Sequence, residues 1–197
     1  MTKFILKSSY TRAHRILHWL IALTFIFILL TVWLRQGWMN RHNIADVVIL
    51  QAATDHVDMP KDTADKIGRI VRKPMWDWHI YAGYVLLGLY IIRLIVMKIE
   101  GPVFSNPFSR NITSKERIKS AIYLIFYICL FLSLFTGAYI KLVGKVYPGV
   151  YAAMKGVHVQ SLYYSLAFIF LHLAGLVLAE MGTDKGIISR MIHGGRQ

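Results

Sequence analysis

The chain of 197 residues has one cysteine, five prolines and only ten acidic side chains, against 23 lysines and arginines. A lone cysteine, Cys129, can close no intrachain disulfide and can build no zinc cluster. The many short alternating segments that a membrane β-barrel needs are missing too, so a barrel is excluded. No internal repeat or low-complexity tract appears. The shortage of acids leaves a formal net charge of +13, which in a soluble chain would suggest nucleic acid as a partner. Here the basic residues flank long apolar runs, the placement a membrane protein uses, so no nucleic-acid partner is expected.

Hydrophobic residues make up 56% of the chain and its mean hydropathy is +0.47, too apolar for a soluble surface of this size. Four runs reach the roughly 20 residues that cross a bilayer: about 16–34, 78–97, 118–143 and 157–181. Backbone groups in hydrocarbon must be paired within their own segment, so all four are expected to be helices. The expected fold class is all-α, a transmembrane four-helix bundle forming one membrane domain over 1–197. The first run follows Lys3, Lys7, Arg12 and Arg15 but is too long for a signal-peptide core and has no small-residue cleavage site after it. It is expected to stay as the first span.

A long polar connection, 35–77, separates the first two spans. Within it Ile44–Ala53 is apolar but too short to span, and Asp62–Lys73 is expected to form a short helix ended by Pro74. Ser114-Lys-Glu-Arg is a candidate start for the third helix, and the short third connection holds Pro148 and Gly149. Lysines and arginines near the span ends set the orientation. Twelve gather on the side of the N-terminus, the second connection and the tail; ten gather on the other side, seven of them in the long loop where the rule counts least. Both termini are therefore expected in the cytoplasm, and the chain in a bacterial inner membrane.

Ionisable side chains inside a span are costly and mark function. Four of the eight histidines lie within or at the margins of the spans: His18, His79, His158 and His172. His14 sits one turn before His18 and is expected at the interface, with His42, His56 and His193 in polar segments. His158 and His172 are fourteen residues apart, roughly 21 Å along one helix and on nearly the same face. The fourth helix runs inwards, so His158 lies near the outer surface and His172 nearer the inner one. His79 opens the second helix on the outer side, and His18 opens the first on the inner side. Two pairs follow at matched levels: an outer pair, His79 with His158, and an inner pair, His18 with His172.

Facing imidazoles can supply both axial ligands of a haem iron, and filling both positions favours electron transfer over oxygen binding. No C-x-x-C-H motif is present, so two haems b would be held non-covalently. Arg93 is fourteen residues after His79, near the inner level; a buried guanidinium needs a partner, and a haem propionate would serve. Gly83 on the second helix and Gly137 on the third would let a flat macrocycle approach the backbone. Each feature also has a plainer reading. A single intramembrane histidine can bond across helices, Arg93 can snorkel, and glycines can mark helix contacts. Trp76, Trp78 and Tyr81 suit an interfacial aromatic belt. Four histidines at two matched levels favour the haem reading.

Arg15-Ile-Leu-His18-Trp19 resembles the His-Trp signature that opens the first span of bacterial b561-type cytochromes and of the related cytochrome b subunits of nickel–iron hydrogenases. His79-x-x-x-Gly83 with Tyr90-Ile-Ile-Arg93 is similar to that family's second helix, and Thr136-Gly137 to its third. His158 and His172 match its fourth, and Asp184-Lys-Gly-Ile-Ile-Ser-Arg-Met its tail. The resemblance covers nearly the whole chain except the long first loop. It implies a four-helix bundle with two haems b, with His18, His79, His158 and His172 as axial ligands, exchanging electrons with the quinone pool.

The expected activity is electron carriage across the membrane between quinone and an outer-side redox protein, such as a hydrogenase- or dehydrogenase-like subunit. Arg12, His14 and Arg15 are the candidates for an inner quinone site. One alternative is a stand-alone enzyme that oxidises superoxide and reduces quinone, with Arg69, Arg72 and Lys73 steering the anion. Another is a non-redox transporter using histidines as proton relays.

Overall fold

The computed structural model describes residues 11–182 and 185–194. Lys3, Lys7, Asp184 and Arg196, which entered the orientation and tail readings, lie outside them. All described regular structure is helical: α1 (Arg12–Gln36), α2 (Arg41–Thr54), α3 (Lys61–Val71), α4 (Lys73–Glu100), α5 (Ser114–Leu142), α6 (Pro148–Val159), α7 (Ser161–Met181) and α8 (Ile187–His193). Four stretches are long and apolar enough to cross a membrane: α1, α3 running into α4, α5, and α6 running into α7. The helices begin before their apolar runs, at Arg12, Lys73, Ser114 and Pro148, because polar flanking residues continue the helical bonding. Large apolar side chains such as Trp33, Phe170 and Met181 remain exposed on these spans, as a protein solvated by lipid tails requires.

Local sequence explains the boundaries. Thr113 caps α5, accepting from the Glu116 amide at 3.2 Å while Glu116 accepts from the Thr113 amide at 3.1 Å. Asn40 caps α2 through the His42 amide at 3.0 Å. Two expectations need correction. Pro74 does not end the preceding helix; α3 stops at Val71 and Pro74 lies in the first turn of α4, where a missing N–H costs nothing. Likewise the fourth span does not start at Val157. Pro148 opens α6, and a break at Gln160 separates it from α7, so His158 and His172 stand on two helices rather than one.

The chain divides into two compact units. One is Leu20–Gly88; the other comprises the chain up to Trp19 together with Leu89 onward. In the first unit the 35–77 connection is largely helical. α2 and α3 pack on each other through Ala45, Ala52, Ala64 and Gly68, all buried. Small residues let the two backbones approach, and a Cβ on Gly68 would lie 2.5 Å from the Arg41 carbonyl oxygen. Gly68→Ala is expected to destabilise this hairpin by about 1–3 kcal/mol, seen as earlier proteolysis between α2 and α3 in a protein whose α5–α7 segment stays protected.

In the second unit α5 packs on α6 and α7. Phe126 stacks on Phe168 at 3.6 Å between ring centroids, and the Ser133 and Tyr164 hydroxyls share a hydrogen bond. Hydroxyl pairs of this kind tie helices together in lipid, where no hydrophobic gain does so.

Candidate haem-binding site

Within the second unit, the rings of His18 and His172 lie with centroids 6.1 Å apart and planes inclined at 51°. A metal–imidazole bond is about 2.0–2.1 Å and the nitrogen lies roughly 1.1 Å from the ring centre, so one metal between two imidazoles needs centroids roughly 6 Å apart. The pair thus has the spacing of two axial ligands. His172 is also stacked on Phe168, 5.6 Å between centroids and 12° between planes, and its Nδ1 lies 3.2 Å from the Tyr123 hydroxyl. α5 therefore orients the ligand that α7 carries.

His158 is held by α5. Its Nδ1 donates to the Ser133 carbonyl at 3.0 Å. That bond puts the proton on Nδ1 and leaves Nε2 as the nitrogen with the lone pair, the arrangement that metal-bound histidines use. Gly137 makes room for the ring: a Cβ there would stand 2.9 Å from His158 Cε1. The close approach that this glycine permits in this structure is to the imidazole.

In the first unit, His79 stacks on Trp76 with centroids 4.6 Å apart and planes 4° from parallel. The Arg35 guanidinium lies 4.0 Å over the same indole. Trp76 therefore supports a candidate ligand, beyond the belt role read from the sequence. His79 Nδ1 is 2.8 Å from Thr31 Oγ1. Thr31 donates its only proton to the Ile28 carbonyl at 2.6 Å, so it must accept from His79 Nδ1–H. Nε2 is again the lone-pair nitrogen. Thr31, 3% exposed, was not singled out in the sequence, although a threonine in an apolar span one turn or more from either end is the available signal. Thr31→Val keeps the shape and removes the acceptor. It is expected to weaken haem binding roughly 10–100-fold, measured by haem titration of the purified apoprotein. A Cβ on Gly83 would meet no heavy atom within 4 Å, so α4 has open space beside its ligand turn.

His14 and Arg93 are 5% and 7% exposed. His14 is therefore packed within the protein rather than on the surface of its helix. Arg93 Nη1 donates to His14 Nδ1 at 2.8 Å and to the His14 carbonyl at 3.1 Å, and Arg93 Nε donates to the Tyr127 hydroxyl at 3.3 Å. With Nδ1 accepting, the His14 proton sits on Nε2, 3.4 Å from Glu100 Oε2. The partner that a buried guanidinium requires is supplied here by the protein, which the sequence could not show because the two residues are 79 positions apart. Of the other two quinone candidates, Arg12 is exposed and Arg15 half-buried.

Among the described residues no three His, Cys, Asp or Glu side chains converge as a metal site. A porphyrin iron needs only two protein ligands, since the macrocycle supplies the rest. The donor chemistry fits: two imidazoles at ligand spacing, and two more whose Nδ1 protons are tied to backbone or hydroxyl oxygen. No curated protein and no solved structure matches the chain. The family model described as prokaryotic cytochrome b561 matches residues 9–194. Four membrane-length helices, ligand-spaced histidines and this match over nearly the whole length place the chain in the prokaryotic cytochrome b561 family, as a membrane b-type cytochrome of electron transfer.

Proposed function

We propose that the protein binds two haems b and carries electrons across a bacterial inner membrane, between an outer-side redox partner and the quinone pool. His18 and His172 are the axial ligands of one haem. His79 and His158, which the sequence register sets at one level, are those of the other. Both termini face the cytoplasm. The observation that carries this reading is the 6.1 Å separation of the His18 and His172 rings.

Haem bound in this way supplies a one-electron couple. The chain's own residues do the rest. Ser133 and Thr31 each hold a ligand ring in one tautomer, so the lone pair is presented without reorganisation. Phe168 and Tyr123 fix the His172 ring plane and exclude water from its face. The pairing of Arg93 with His14, and of His14 with Glu100, keeps that buried cation from lying uncompensated.

A reduced-minus-oxidised absorption spectrum of the purified protein, expressed with adequate haem, tests the reading. Bands of a six-coordinate b-type cytochrome at about two haems per chain are expected. Absence of haem bands would sink it. Oxidation of the reduced protein by a soluble quinone analogue in a stopped-flow cell is expected too, and no reaction at any concentration would remove the quinone link.

A further inference from the structure

Arg15 lies three residues before His18 on α1, so the two side chains share a helix face. Its Nε is buried and has no hydrogen-bond partner among the described residues. A guanidinium donor withdrawn from water without an acceptor costs about 1–3 kcal/mol or more, so the site calls for an anion. The glutamates of this unit are already committed. Glu100 accepts from Thr11 Oγ1 at 2.6 Å and faces His14 Nε2; Glu116 closes the α5 cap; Glu180 accepts from the Gly186 amide at 2.8 Å.

Two further cations act on the histidine pair. Arg93 acts electrostatically on His18, and Lys119 on His172. Arg93 is itself held by His14 and Tyr127. The tail backs Arg15 from one side: at Gly194, with φ +77, a Cβ would overlap the guanidinium. The guanidinium thus occupies the space that a side chain at Gly194 would take.

We propose that Arg15 is the side chain that binds a carboxylate of the haem held by His18 and His172. Haem b carries two carboxylates, and the guanidinium fork matches a carboxylate with two parallel charge-assisted bonds. The inference rests on the reading of His18 and His172 as ligands. It gives Arg15 a task distinct from that of Arg93, whose bonds lie within the protein. A lipid phosphate offers the same anionic chemistry and is the competing source.

The test is spectroelectrochemical titration in nanodiscs of uncharged phosphatidylcholine, with parallel samples containing phosphatidylglycerol. A cation next to the haem carboxylate favours the reduced state, so Arg15→Gln is expected to lower the midpoint of the haem that His18→Ala removes. The expected shift is about tenfold in the oxidised-to-reduced ratio at fixed potential, or ~59 mV for one electron. Haem content and the six-coordinate spectrum stay as in the wild type, and Arg15→Lys recovers most of the potential.

Wild-type apoprotein loaded with iron protoporphyrin IX dimethyl ester, which lacks the carboxylate anions, should shift the opposite way, to a higher midpoint. Arg15→Gln should then lower the midpoint by much less than it does with haem b, because no carboxylate holds the guanidinium at the haem edge. Unchanged midpoints on esterification, or two shifts that add in full, overturn the proposal. So does a shift seen only with phosphatidylglycerol, which would assign Arg15 to lipid. Should Arg15→Gln fail to fold, Arg15→Lys replaces it: a midpoint lowered slightly with haem b and unchanged with the ester is expected, and an equal lowering with both overturns the proposal. A wild type that binds no haem at this pair defeats the ligand reading instead, an outcome distinguishable from normal haem binding with an unmoved midpoint.

Discussion

Purified His172→Ala protein is expected to carry about half the haem of the wild type, and His18→Ala to lose the same half. The double variant should lose no more than either single one, because two ligands of one iron act as a unit. His79→Ala and His158→Ala should each lose the other half. Haem content by pyridine haemochrome and the difference spectrum of the remaining centre would identify which is missing. Free imidazole should restore part of the lost haem in His172→Ala, since the side-chain deletion leaves a cavity beside Phe168 and Tyr123 large enough for the missing ring. If His18→Ala spared a haem that His172→Ala removed, the pairing would be wrong.

The second large effect is expected at Gly137. The His158 ring occupies the place a side chain would take, with Cε1 2.9 Å from a Cβ built there. The ring has little freedom to retreat, because its Nδ1 is bonded to Ser133 O at 3.0 Å. Gly137→Ala forces a shift at a cost of about 1–3 kcal/mol, or roughly 5–150-fold in the affinity of the haem that depends on His158. Gly137→Leu should displace the ring outright and reproduce His158→Ala, while the haem of His18 and His172 keeps its spectrum. A Gly137→Leu protein retaining both haems at wild-type affinity would show that His158 is no ligand. Glycine here is needed for close approach, since its backbone lies within a regular helix.

The transmembrane class and the four histidines were legible because each is a local property. A run of about 20 apolar residues has one stable answer in lipid, and an ionisable group within such a run stands out without knowledge of its neighbours. Rise per residue also gave each histidine an expected depth, on the assumption of one continuous fourth helix that the Gln160 break interrupts. Boundaries were less legible. The 157–181 run hid the Gln160 break and the early start at Pro148, since hydropathy responds to composition and not to backbone bonding. Pro74 was read as a stop for the same reason that it is a start: proline punctuates helices from either side, and only the bonds of its neighbours distinguish the two.

The partners were not legible at all. Arg93 needed a counterpart, and the sequence offered a cofactor carboxylate as readily as His14, 79 positions away. Thr31 for His79, Ser133 for His158 and Tyr123 for His172 are 48, 25 and 49 positions from the rings they hold. By itself the sequence determined that this is a membrane protein with histidines in or beside its spans, because hydrophobic length is set residue by residue. Only the tertiary structure decided which nitrogen His79 and His158 offer, which cation is already paired and which glycine admits a ring. Those depend on hydrogen bonds a few ångströms long between residues that nothing in the linear order brings together.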